Sequence, residues 1–130
     1  PGSDPSVMAH LAYRGCKGII IEASGLGHVP TNGRGSWIPA IKKLVKDGVF
    51  IGCTPQTIFG RINPDVYTNL RILYKEAGAV PLEDMLAETA YVKLGWVLGH
   101  TADMQKAREM MLTNYAGEIT PRSKDEGYLE

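Results

Sequence analysis

KGIIIEASGLGHVP, residues 17–30, is the stretch that decides the fold. Its first half is a continuous apolar, β-branched run of strand length without polar alternation, as expected of a strand covered on both faces, and such strands belong to parallel sheets. Its second half is a glycine-spaced loop ending in histidine and proline. After the loop, WIPAIKKLVKDG sets Trp37, Ile41, Leu44 and Val45 on one helical stripe and stops at Gly48. VFIGCT then returns as a second buried strand. Residues 18–54 thus read as one βαβ unit.

The rest of the chain extends that unit. Upstream, Asp4 and Pro5 are placed to open a helix that carries Val7, Met8, Leu11 and Ala12 inward and stops at Gly15. A domain seldom opens on such a turn, and a further strand is expected before it, so the chain reads as part of a larger protein lacking its first strand. Downstream, Asn63 and Pro64 are expected to open a helix burying Val66, Leu70, Leu73, Tyr74 and Ala77. AVP is at most a very short third strand. Pro81, Glu83 and Asp84 resemble the first turn of a long helix with the stripe Leu82, Leu86, Ala90, Leu94, Leu98, where acidic groups suit the helix dipole. Thr101 is the expected cap of a last helix. The polar tail, residues 117–130, interrupted by Pro121, is expected to order only against a partner. The fold class is α/β: one three-layer α/β/α domain over residues 1–130, flavodoxin-like or Rossmann-like, with a small parallel sheet.

Composition narrows the function. The 130 residues are 44% apolar and balance fourteen basic against fourteen acidic side chains, so no net field draws the chain to nucleic acid or to an anionic membrane. No apolar run is long enough to span a bilayer. The two cysteines, Cys16 and Cys53, lack metal-type spacing, and a reducing cytoplasm suits them better than a secreted scaffold.

In open parallel sheets, ligands gather beyond the carboxyl ends of the strands, which is where ASGLGHVP falls. Gly25 and Gly27 can take positive φ and let a ligand approach the backbone, and His28 brings a nitrogen that donates or accepts near neutral pH. The plainer reading makes the glycines a turn and His28 a solvated side chain. A dinucleotide fingerprint is set aside, because Pro30 stands where its last glycine belongs. Thr54, Gln56 and Thr57 are candidates to face the same crevice, and Arg61 to pair a carboxylate, but for each residue taken singly a turn with ordinary capping groups is the favoured reading. Glu88 and Lys93 read as a solvated helix face, and Tyr91, Trp96 and Tyr115 as packing. The chain holds no G-x-S-x-G motif, no histidine-rich metal cluster and no cysteine in an evident activating setting.

Longer motifs carry a resemblance. The segments GLGH, then GRINPDVY, then EDMLAETAYVKLGWVLG resemble the carboxyl-terminal domain of the cytosolic asparaginase/glutaminase amidohydrolases. MLTNYAGEITPR is similar to the carboxyl end of that superfamily's archaeal-type branch, the D subunits of glutamyl-tRNA(Gln) amidotransferases. That resemblance implies a parent protein that hydrolyses glutamine, a homodimer, and a partner, the amidotransferase E subunit, that uses ATP and magnesium to activate Glu-tRNA(Gln) for amidation. The family's threonine motifs, T-G-G-T and T-D-T, are absent, so no catalytic group and no cofactor of its own are expected here. What the family resemblance does imply is dimer contacts and residues that complete the neighbouring protomer's pocket for glutamine or asparagine. His28 falls where the asparaginases place an asparagine, Tyr67 falls near an acidic pocket position of the periplasmic-type relatives, and the loop TNGRGS is longer than the family's. Alternatives are a free cytosolic type I L-asparaginase and a non-catalytic oligomerisation or ligand-sensing module.

Overall fold

The computed structural model describes residues 3–121. Three parallel strands lie in the order β1-β2-β3: β1 is Gly18–Ala23, β2 Phe50–Pro55 and β3 Val80–Pro81. Ile19 stands beside Ile51 and Ile21 beside Cys53, and β3 pairs with β2 at Gly52 and Cys53. Five helical elements surround the sheet: α1 (Ser6–Tyr13), α2 (Ile38–Lys46), α3, α4 (Ala87–His100) and α5 (Met104–Leu112). The third, α3, runs Thr68–Arg71 as an α-helix and continues as a π-helical segment over Ile72–Glu76.

Alternation along the strands splits the core in two. Ile19, Ile21, Ala23, Ile51 and Cys53 face α1, α2 and α3, joining Met8, Ile41, Leu44, Leu70 and Leu73. Phe50, Val80 and Leu82 face α4 and α5, joining Ala90, Leu94, Val97, Ala107 and Met111. Each buried side chain of this size contributes about 1.5–3 kcal/mol by leaving water, so the βαβ unit holds because β2, buried at every position, serves both layers. The three-layer α/β/α expectation is met.

Several local expectations are corrected. β1 is covered on both faces except at Glu22, which is exposed: Ile20 packs half-buried on the second core and Gly18 lies against Leu94 and Leu98 of α4, while β1 has no strand partner on its outer edge among the described residues. Asn63 and Pro64 sit in a turn. The helix starts only at Thr68, so Val66 is left exposed. Pro81 belongs to β3, and Glu83 and Asp84 precede the long helix instead of opening it. Glu83 takes φ 59, a left-handed conformation that costs about 1 kcal/mol, and two anchors hold it there. Its carboxylate meets Arg61 Nη1 at 2.5 Å, and its carbonyl accepts from the Ile62 N–H at 2.9 Å. Asp103, not Thr101, caps α5, its carboxylate accepting from the Gln105 and Lys106 N–H groups.

The start of the tail is also ordered by the chain itself. Ile119 packs on the second core, and Thr120 donates its N–H to Asp84 at 3.0 Å while its hydroxyl donates to the same carboxylate. Lys93 is not a solvated face residue. It is buried, donating to the Thr113 carbonyl at 2.6 Å and pairing with Glu118 at 2.5 Å. The remainder of residues 117–130 beyond 121 lies outside the described residues. Burial raises the Glu118 carboxyl, but the Lys93 ammonium and the N–H groups of Ala116 and Tyr115 outweigh it and bring the group down to about 2.

A carboxyl held below its ordinary value stabilises the fold above that value and loses the effect as pH falls through the folded one. The Glu118 clamp is therefore expected to be intact at pH 6 and to weaken from about pH 4.5 down toward 2. Thermal melts at stepped pH check this: Glu118→Gln should lower the melting temperature at pH 6, and the gap to the unsubstituted chain should narrow below about pH 4.5 and close only as pH reaches about 2. A gap that stays constant with pH would contradict it.

Candidate functional site

β1 ends at Ala23 and the chain turns at once. Ser24 and His28 face each other in an antiparallel bridge: the Ser24 N–H donates to the His28 carbonyl at 3.1 Å, and the His28 N–H returns to the Ser24 carbonyl at 2.7 Å. Closing so short a loop demands the two left-handed residues, Gly25 at φ 51 and Gly27 at φ 110, that the sequence supplies. The Leu26 carbonyl accepts from the Asn63 N–H at 3.0 Å, and the Gly27 carbonyl accepts from the Tyr74 hydroxyl at 2.7 Å. A Cβ on Gly27 would lie 2.6 Å from the Tyr74 oxygen and 2.9 Å from two side-chain carbons of Ile62. The loop therefore rests directly on the segment that follows β2.

This floor brings His28 and Tyr67 together. Their ring centroids lie 5.5 Å apart at an interplanar angle of 48°, with His28 half-buried and Tyr67 exposed at the start of α3. Three of the four expected positions, Gly25, Gly27 and His28, form one loop, and Tyr67 meets it from 39 residues further along, joined by chain fold alone. Leu26, Ile58, Phe59 and Val66, from the same two segments, are exposed as well. TNGRGS folds back on itself beside them: Ser36 donates its hydroxyl to the Thr31 carbonyl at 2.9 Å, and the Trp37 N–H reaches the Pro30 carbonyl at 2.8 Å.

Other expected residues do not converge here. Thr54 is fully buried with its hydroxyl unpartnered, while Gln56 and Thr57 are exposed. Arg61 does pair a carboxylate, but an internal one: it is committed to Glu83 and Asp84 and donates to the Thr120 carbonyl at 2.5 Å. Tyr91, Trp96 and Tyr115 are largely exposed, and the last two meet edge to face at 5.4 Å on the far side of α4. No group of three or more histidine, cysteine or acidic side chains suited to a metal occurs among the described residues.

Sequence reasoning misses the residue that fastens the loop. Tyr74 lies at an inward helical position and reads as core, and nothing local signals that its hydroxyl reaches Gly27, 47 residues away. The Cys53 thiol lies against that hydroxyl, and burial pushes it up to about 12, so it stays protonated. Burial, then the neighbouring Cys53, push Tyr74 upward too. The arrangement offers a ligand a histidine nitrogen, a phenol and turn backbone.

A parallel α/β sheet with a closed loop at the carboxyl end of its first strand is the setting in which open α/β sheets carry their ligands. The chain belongs to the Glutaminase/Asparaginase C-terminal domain family, whose sequence model matches residues 1–111. It is 53% identical over 129 residues to the D subunit of the glutamyl-tRNA(Gln) amidotransferase of Thermococcus kodakarensis, covering 99% of this chain and 28% of that protein. The corresponding D subunit of Sulfolobus acidocaldarius is 54% identical over 119 residues, 92% of this chain and 26% of that protein. Among solved structures, the thermostable L-asparaginase of T. kodakarensis superposes with a TM-score of 0.83 at 34% identity, over 94% of this chain and 36% of that one. The chain thus spans little more than a quarter of the length of these curated relatives.

The two loop glycines are expected to respond differently to substitution. A Cβ at Gly25 meets only His28 Nδ1 at 3.7 Å, so Gly25→Ala should cost about 1–2 kcal/mol, the left-handed penalty alone. Gly27→Ala adds a collision with Tyr74 and Ile62 and should cost about 3 kcal/mol or more. Denaturant midpoints check the order, which equal costs would contradict.

Proposed function

We propose that this chain is the carboxyl-terminal part of the glutaminase subunit of a tRNA-dependent amidotransferase, and that its His28 loop completes the glutamine pocket of the neighbouring protomer in a cytoplasmic homodimer. The observation that carries this reading is the match to the amidotransferase D subunit along 99% of the chain, in a domain without T-G-G-T or T-D-T. In the parent, a threonine of the other domain attacks the glutamine carboxamide. Ammonia leaves, and water releases glutamate from the acyl intermediate. The ammonia passes to the E subunit, which uses ATP with magnesium to activate the glutamyl group of Glu-tRNA(Gln). This chain's task is binding: His28 and Tyr67 meet the amino-acid end of the substrate, and the exposed apolar residues beside them, Leu26, Ile58 and Val66, seat the adjoining domain.

A free cytosolic asparaginase is the second reading. Its support is the 0.83 superposition on the T. kodakarensis L-asparaginase, but at 34% identity against 53% for the amidotransferase D subunit. Both readings use the same loop and separate on the partner.

In the full-length parent, His28→Ala should raise KM for glutamine about tenfold and change kcat less than about twofold, since it removes one hydrogen bond made equally to substrate and transition state. An unchanged KM would remove His28 from the pocket. Co-purification of a second, different polypeptide with the tagged full-length protein is expected, and a lone homodimer preferring asparagine would favour the second reading.

A further inference from the structure

Tyr74 stands where three elements meet. Its ring belongs to the π-helical half of α3, where the Ala77 N–H reaches back to the Ile72 carbonyl at 2.9 Å and the turn is one residue wider than in an α-helix. Its hydroxyl donates to the Gly27 carbonyl, and the Cys53 thiol of β2 lies against the same oxygen. The residue is only 5% exposed, so this polar group is withdrawn from water and committed to the loop. A buried carbonyl left without its donor is destabilising, which makes the bond a strong constraint on where the loop sits.

The same helix carries Tyr67 at its amino end, where the Tyr67 carbonyl accepts from the Leu70 and Arg71 N–H groups at 3.1 Å. Tyr67 is the extended residue that precedes α3 and Tyr74 lies in its π-helical half, so one short helical segment joins the two. The bond from Tyr74 to Gly27 ties that segment to the residue beside His28, and the Tyr67 ring lies 5.5 Å from the His28 ring.

We infer that Tyr74 is a positioning residue of the substrate pocket, its hydroxyl bond to the Gly27 carbonyl setting the mutual placement of His28 and Tyr67. The inference rests on the proposed function, because it assigns that pocket its supporting group. Tyr74 never touches substrate. It acts through the backbone of the loop.

Tyr74→Phe keeps the ring that fills the core and removes only the donor. In the full-length parent, with glutaminase activity as the readout, it should raise KM for glutamine about fivefold and leave kcat within about twofold, the consequence of one lost hydrogen bond. Met111→Ala serves as the structural control: it opens space in the second core, away from the loop, should lower the melting temperature at least as much, and should leave KM near its starting value. Because the two act on one element, Tyr74→Phe combined with His28→Ala should raise KM no further than His28→Ala alone. Should Tyr74→Phe fail to fold, 4-aminophenylalanine at position 74, which retains an N–H donor, decides the matter: an unchanged KM supports the inference, and a raised one overturns it. A Tyr74→Phe protein with lowered melting temperature and unchanged KM overturns it too. If His28→Ala raises KM and Tyr74→Phe does not, only this inference falls. If His28→Ala itself leaves KM unchanged, the proposed pocket falls and takes the role of Tyr74 with it.

Discussion

Everything in this domain hangs on the parallel pairing of β1 with β2. Six consecutive residue pairs, from Gly18 beside Phe50 to Ala23 beside Pro55, align the two strands. That register sends Ile19, Ile21, Ile51 and Cys53 to one core and Phe50 to the other. A slip of one residue would exchange the two faces and put Glu22 into the core. It would also move the end of β1, and with it the loop that begins at Ser24. Because the pairing is parallel, both strands end at the same edge, and the two segments that leave them are neighbours. The Gln56 N–H bonded to the Ala23 carbonyl at 3.0 Å is the last tie before they diverge.

From that edge the chain builds upward in polar steps. The loop after β1 closes on itself through Ser24 and His28, then rests on Asn63 and Tyr74. The segment after β2 is in turn pinned by Arg61, whose guanidinium gathers Glu83, Asp84 and Thr120. The end of the described chain is held a second time, through Lys93 and Glu118. Such part-buried networks hold because charged donors and acceptors meet in pairs and share backbone groups, although Arg61 Nε itself is buried without a partner. The result is a candidate site with little freedom to reorganise. That suits the proposed role of the loop, to hold a substrate for chemistry supplied by another domain.

How much of this is legible in advance depends on range. The βαβ unit and the loop at its edge can be read because apolar runs, a helical stripe and two glycines are local signals. Family motifs add proposed roles for His28 and Tyr67. Local chemistry places the beginnings of α3 and α4 too early, since Pro64 and the Glu83–Asp84 pair suit a helix start, whereas the tertiary structure uses them for turns and for Arg61. Lys93 looks solvated because Glu118, its partner, lies 25 residues away. Tyr74 is invisible as a functional residue for the same reason: a tyrosine on an inward face looks like core until its hydroxyl is seen to have a partner. Long-range polar contacts leave no period in the sequence.

The central claim, that the His28 loop serves the pocket of the neighbouring protomer, is tested most directly by mixing defects between protomers. Full-length protomers carrying His28→Ala would be co-assembled with full-length protomers whose nucleophilic threonine is replaced, and KM for glutamine measured on the purified hybrid dimer. If the loop acts across the interface, one pocket of each hybrid combines an intact threonine with an intact His28, and the unsubstituted KM returns at reduced kcat. If the hybrid keeps the elevated KM of the His28→Ala protein, the loop serves its own protomer or none, and its assignment to the neighbouring pocket is wrong.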